Sequence, residues 1–493
     1  MTNPMPTDHS SAPVLEALAA YHEAGDVPFT PPGHKQTRGA DRRVLEVLGP
    51  AVFRGDVLAT SGLDDRLSRN RVLERAEHLM ADAVRAEHTF FSTCGSSLSV
   101  KAAMLSVAGP HEKLLVGRDA HKSVVSGLIL SGIRPVWIDP RWDTERGLAH
   151  APGPEAYEAA LEQHPDAMGA LITSPTPYGT CADLDGVVAS CHRRGLPVIV
   201  DEAWGAHLPF HPDLPSWAMD AGADVCVTSV HKMGGGLEQG SVFHLQGDHV
   251  DPERLSSRAD LLGTTSPNVL LYAGMDGWRR QMVEQGHRLL GAALELAEQV
   301  RTELAAVPGL HVHGRADFTG PDKADDLDPL PVFVDLAQLG ISGYQAADWL
   351  RSEHSIDVHL GDHRRVGAQL TYADDAGTAG VLVSALTELA SRAPEFDPPR
   401  EVHVPTGDRL RMEQAMLPRD AYFGAVEDVP AHAAAGRIAA EMVTPYPPGI
   451  PAALPGERLT EDVLAYLRSG VDAGMNLPDA TDPSLGTVRV VAE

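Results

Sequence analysis

Short apolar runs, each closed by polar residues or glycine, recur through the first 250 positions. They are Leu114–Val116, Pro135–Ile138, Gly169–Thr173, Pro197–Val200, Val225–Val227 and Ser241–Leu245. Continuous apolar runs of this length predict strands buried on both faces. Stretches with helical spacing separate most of them, such as Glu155–Gln163 and Leu184–Arg194. Alternating strands and helices predict an α/β fold with a mostly parallel sheet covered on both sides. Upstream, Val14–Ala24 stops at Gly25 and predicts a leading helix. Arg71–Arg85 carries Val72, Leu73, Ala76, Leu79, Met80 and Ala83 on one face of an amphipathic helix. A long helical pattern runs from Val269 to Val307. A smaller α+β unit follows, with strands at Val332–Val334 and Gln369–Tyr372 and helices at Tyr344–Glu353 and Val381–Leu389. Four segments are expected: an amino-terminal helix or arm (1–27), a large domain (28–310), a small α+β domain (311–393) and a carboxy-terminal α+β domain (394–493). The last opens on proline and charge and carries the proline-rich stretch MVTPYPPGIPAALPGE, an ordered loop or extended edge.

Composition narrows the classes. The formal charge of −28 leaves few cations to neutralise phosphates, which excludes a nucleic-acid partner. An acidic surface agrees with a cationic small molecule as partner. No apolar run approaches the roughly 20 residues of a membrane span, and MTNPMPTDHSSAP lacks a basic region followed by an apolar one. A cytoplasmic protein with no membrane partner is expected. Cys94, Cys181, Cys191 and Cys226 are scattered and read as inert thiols. The His207-x-x-x-His211 spacing suits a metal on a helix, but Pro209 and Pro212 oppose a helix there, so no metal is expected.

The candidate chemistry lies between Pro197 and Ser241. One apolar run ends in Asp201, and the next leads into Ser229, His231 and Lys232, followed by Gly234–Gly236. Ligands of open parallel sheets sit outside the carboxyl ends of the strands, so the acid and the lysine, 31 positions apart, are expected at one rim. A carboxylate and an amine there suit pyridoxal phosphate: the lysine forms the Schiff base and the acid keeps the pyridine nitrogen protonated. Taken singly, Asp201 reads as a helix cap and Lys232 as a solvated loop lysine. The ordered set, Asp-Glu-Ala-Trp-Gly-Ala-His and then Ser-Val-His-Lys, favours the cofactor. Gly95-Ser96-Ser97 opens a helical pattern, which is either a phosphate site or an ordinary serine cap. His121 follows the Leu114–Val116 run, where an imidazole can stack on a pyridine ring or serve only as structure. Leu261–Pro267 is a loop of small hydroxyl residues.

PPGHKQ, RDAHKS, VDEAWGAH, SVHK and AEMVTPYPPGIPAALPGE resemble the bacterial Orn/Lys/Arg decarboxylases, pyridoxal-phosphate enzymes of the aspartate-aminotransferase fold. The resemblance runs from about Pro28 to about Ala473. It implies decarboxylation of a basic amino acid (arginine, lysine or ornithine) and a place in polyamine metabolism. Its roles, residue by residue, are Lys232 as the Schiff-base lysine, Asp201 at the pyridinium nitrogen and His121 stacked on the ring. Ser96, Ser97 and Ser229 hold the phosphate, Ala203 joins the cofactor contacts, and His231 is a proton donor. Thr265 and Ser266 match a loop that in such dimers reaches the partner's phosphate site. Glu441 and Trp204 are assigned to the substrate, Glu441 at its distal cation. Trp204 stands where many short relatives have His, and Gly234–Gly236 replaces a bulkier segment. The amino-terminal wing of the large members is not matched, so a homodimer or dimer of dimers is expected. Transamination is the rival reaction, with Arg364 and Arg365 as a carboxylate clamp or merely a solvated loop pair. A non-catalytic regulatory homologue is the other alternative.

Overall fold

The apolar runs become strands because each is flanked by residues that stop extension and each finds neighbours on both faces. The computed structural model describes residues 7–58, 63, 71–446 and 448–493. Seven strands make the main sheet: β1 (His88–Ser92), β2 (Lys113–Gly117), β3 (Arg134–Ile138), β4 (Ala167–Thr173), β5 (Val198–Asp201), β6 (Val225–Ser229) and β7 (Ser241–Leu245). Their order is β1-β7-β6-β5-β4-β2-β3. Strand β2 runs parallel to β3 and β4, and β5 runs parallel to β6. Strand β7 is antiparallel to both β6 and β1. The sheet is therefore mostly parallel, and every residue of β5, β6 and β7 is buried. Strand β1 is a strand the hydrophobic pattern missed. Its His88 and Thr89 break the apolar run, and its pairing with β7 supplies what composition does not.

The chain divides into two compact units, Met1–Ser106 with Ile199–Arg288 and Val107–Val198 with Leu289–Glu493. In the first, the leading helix spans Pro13–Ala24 and ends on left-handed Gly25. Its start is pinned by two side chains of the long helix Val269–Ala305. The Val14 amide donates to Asp276 Oδ2 (2.8 Å), and Arg279 donates to the carbonyls of His9 (2.8 Å) and Ser11. Asp276 and Arg279 are fully buried and paired at 3.2 Å. The amphipathic helix spans Val72–Val84, with Val72, Ala76, Leu79, Met80 and Val84 buried.

In the second unit, a four-stranded antiparallel sheet is built from His311–Val312, Pro331–Asp335, Arg365–Gln369 and Leu360–Gly361 in that order. Helices Gly343–His354 and Ala376–Arg392 belong to the same unit. The strand expected at Gln369–Tyr372 lies earlier, at Arg365–Gln369. The reason is a buried cation: Arg365 is fully buried and its guanidinium pairs with Asp362 at 2.9 Å. The reading of Arg364 and Arg365 as a solvated pair is corrected by the same observation. Arg364 donates to Asp335 Oδ2 (2.6 Å) and to the Glu145 carbonyl (2.8 Å). The carboxy-terminal segment adds the helix Glu461–Ala473 and a two-stranded ribbon, Val426–Pro430 with Thr487–Val491. Val463, Leu467, Leu477, Val488 and Val490 form its core. No helix among the described residues is long and apolar enough to cross a membrane.

Candidate active site

Two parallel strands end side by side. Asp201 closes β5 opposite Val227 of β6, and β6 runs on to Ser229. A single helical turn, Val230–Met233, follows and carries His231 and Lys232. The expected pairing of acid and amine at one strand rim is present in the first unit, where each feels the other's charge. Burial dominates both. It pushes the Asp201 carboxyl up, against the pull of Lys232 and of the Ala203 amide, which donates to Asp201 Oδ1 at 3.3 Å. It pushes the Lys232 amine down, against the attraction of Asp201 and Glu238. Desolvation penalises the charged form of each, which eases the lysine toward its nucleophilic free base.

The Lys232 Nζ lies 4.2 Å from the centroid of the Trp204 ring, a cation–π contact. His231 is lowered by burial, and its Nδ1 is 3.5 Å from the exposed Glu238 carboxylate. The Ser229 hydroxyl is fully buried and meets no hydrogen-bond partner. On the same unit, Gly95 takes φ +74° and the helix Ser96–Val107 starts immediately after it. The Leu98 and Ser99 amides return to the Gly95 carbonyl at 3.0 and 3.4 Å. Ser96 and Ser97 precede them, at the turn where a helix leaves its amides without internal acceptors. Thr265 and Ser266 occupy an exposed loop, and the Ser266 amide donates to Thr264 Oγ1 at 3.2 Å.

Two predicted residues belong to the second unit. His121 caps the helix Lys122–Ser131: its Nδ1 accepts from the Ser123 amide at 3.2 Å and lies 2.9 Å from the Ser123 hydroxyl. Glu441 is buried, and its two oxygens accept from the Thr481 and Arg489 amides, both at 2.6 Å. That carboxylate fastens the second ribbon strand, at Arg489, and the segment before it, at Thr481, to the chain at position 441.

The match to family models decides the family. The Orn/Lys/Arg decarboxylase major domain matches residues 12–328, and the Orn/Lys/Arg decarboxylase C-terminal domain matches residues 407–484. The chain belongs to the Orn/Lys/Arg decarboxylase family. An arginine decarboxylase of Halalkalibacterium halodurans is 38% identical over 98% of both chains. One of Bacillus subtilis is 36% identical over the same shares. The solved lysine decarboxylase A of Pseudomonas aeruginosa superposes with a TM-score of 0.82 at 23% identity, over 97% of this chain and 80% of that one. That likeness speaks for the fold.

This decarboxylase also holds site-adjacent groups the sequence did not single out. Glu202, next to Asp201, is fully buried. Its Oε2 accepts from the Ala218 amide at 2.8 Å, and Oε1 has no partner. Burial pushes its carboxyl well up, against the pull of the Ala218 amide. Asp119, two residues before His121, is buried with both oxygens unpartnered and is raised by burial to about 6. Their signal in the sequence is weak, because an acid beside a motif is as common on surfaces as in interiors. The arginines offered as a transaminase clamp are committed to Asp335 and Asp362 within the decarboxylase's second unit.

Proposed function

We propose that the chain is a pyridoxal-phosphate-dependent decarboxylase of a basic amino acid, with arginine as the preferred substrate. The observation that carries the cofactor is the half-buried Lys232, on the turn that follows β6, within charge reach of the buried Asp201 at the end of β5. The donor set fits the group on structural grounds too, because the Ser229 hydroxyl is buried without a partner. The preference for arginine is supported by full-length identity to arginine decarboxylases.

Pyridoxal phosphate, when bound, supplies an aldehyde for an amine and a protonated ring that accepts an electron pair. Lys232, held toward its free base by burial, is the amine that binds it. Asp201 holds the proton on the pyridine nitrogen, because a close anion favours that charged form. Ser96, Ser97 and Ser229 bind the phosphate, with the amides of a helix start behind the first two. His121 stacks on the ring by its match to the family motif, Ala203 lines the cofactor, and Thr265 and Ser266 serve the phosphate of a second copy. His231 or Lys232 returns the proton to the carbon that loses CO2. Trp204 offers the substrate an aromatic face. Glu441 meets the distal cation. A carboxylate that accepts two amides retains acceptor capacity. The enzyme is assigned to the cytoplasm as a homodimer or dimer of dimers.

Purified protein supplied with arginine, lysine and ornithine in parallel tests this reading. CO2 and the matching amine are expected, fastest from arginine, with none from Lys232→Ala. Keto acid in place of amine, or turnover by the Lys232→Ala variant, would overturn it.

A further inference from the structure

The helix that His121 caps is held by the carboxy-terminal domain through an unusual density of polar ties, all within the second unit. Arg118, three residues before His121, grips Glu457 with two bonds of 3.0 Å each. It also donates to the carbonyls of Pro451 (2.9 Å) and Ala452 (3.2 Å). Lys122, the residue after His121, donates from its side chain to Asp479 at 2.8 and 3.1 Å and from its amide to the Gly449 carbonyl at 3.1 Å. Beneath these ties Val125, Ile129 and Leu454 form a buried cluster.

Gly449 is the closest approach. It takes φ +90°, and a Cβ built there would lie 3.1 Å from both Cδ2 and Nε2 of His121. That is tighter than side chains ordinarily pack, so the imidazole edge lies against bare backbone. The opposite edge is fixed by Ser123, which occupies Nδ1. With Nδ1 accepting from an amide, the ring proton of the neutral imidazole is on Nε2, the edge that faces Gly449.

We propose that Gly449, backed by the Arg118–Glu457 pair, is a positioning residue for His121, so that the carboxy-terminal domain sets the plane of the imidazole that meets the cofactor. The inference rests on the cofactor reading above. The two Ser123 contacts fix the direction of Nδ1 and the backbone closes the opposite edge, so the ring has little room to swing, and only glycine combines the required φ with the required closeness. An aromatic stack is worth a factor of about three to ten in affinity, and a ring turned out of plane forfeits it.

A double-mutant cycle on pyridoxal phosphate uptake tests this. The dissociation constant is measured by titrating the cofactor-free enzyme, and the ellipticity of the bound visible band is recorded in parallel. Gly449→Ala is expected to raise the dissociation constant about three- to tenfold and to change the visible ellipticity. In a His121→Ala background the same change is expected to have less than about a twofold effect, because its target is gone. Equal effects in both backgrounds mean that Gly449 acts only on general structure, and they overturn the proposal. Should Gly449→Ala fail to fold, Arg118→Lys run through the same cycle decides it on the same criterion. Wild-type protein that takes up no pyridoxal phosphate overturns the cofactor reading together with this one. Normal uptake with an additive cycle overturns the positioning role alone.

Discussion

Arg118→Ala should destabilise the enzyme by an amount that depends on pH. Glu457 is 1% exposed and Arg118 15%, so little solvent screens the pair. Removing one partner of such a pair typically costs about 3–5 kcal/mol. The orphaned carboxylate has an escape, which is to take a proton. Burial already holds Glu457 above its ordinary value of 4.5, with Arg118 the main force opposing it. Protonating it at pH 7 therefore costs at most about 3.4 kcal/mol, and under about 1 kcal/mol at pH 5. The bonds lost at the Pro451 and Ala452 carbonyls add about 1 kcal/mol each at any pH. The sign follows: an acid whose folded pKa is raised loses stability as pH rises, and without Arg118 that rise is larger. The melting-temperature deficit of Arg118→Ala, followed from pH 5 to pH 8, should widen steadily. Adding Glu457→Gln should flatten it. A deficit that is constant across this range, or largest at pH 5, would refute the reasoning.

The other expectations follow from single sites. Asp201→Asn should leave the fold intact and lower CO2 release about a hundredfold or more, because a neutral amide no longer holds the ring nitrogen charged. Initial-rate assays with saturating cofactor check this. Asp119, raised from 3.8 to about 6 without a partner for either oxygen, subtracts about 3 kcal/mol when ionised. That loss sets in as pH climbs from 3.8 through 6, so Asp119→Asn should match or exceed the wild-type melting temperature at pH 8 and lose the advantage by pH 4. Leu467, fully buried in the carboxy-terminal core, should cost about 2–5 kcal/mol when cut to alanine, seen by denaturant unfolding.

The central strands were legible because they are continuous apolar runs, and a run buried on both faces has no other good conformation. The placement of Asp201 at one strand end and of Lys232 on the turn just past the next was legible for the same reason. Strand β1 was not, because its ladder partner is the distant strand β7, which no local pattern reveals. Arg365–Gln369 was misplaced by four residues because a fully buried arginine looks like a surface residue until Asp362 is seen beside it. Glu441 carried a functional expectation, and the fold gives its carboxylate two backbone amides to hold. Gly449 could not be read at all: its significance lies in the distance to a ring more than 300 positions earlier, and no local pattern encodes that.

The buried Asp276–Arg279 couple has a practical side for anyone preparing this protein. Its guanidinium donates to the carbonyls of His9 and Ser11, and its carboxylate accepts from the Val14 amide. Trimming the first dozen residues to tidy the amino end would strip a sealed cation of two acceptors and loosen the leading helix. A purification tag is better joined ahead of residue 7, with a spacer, than spliced in place of the segment that follows.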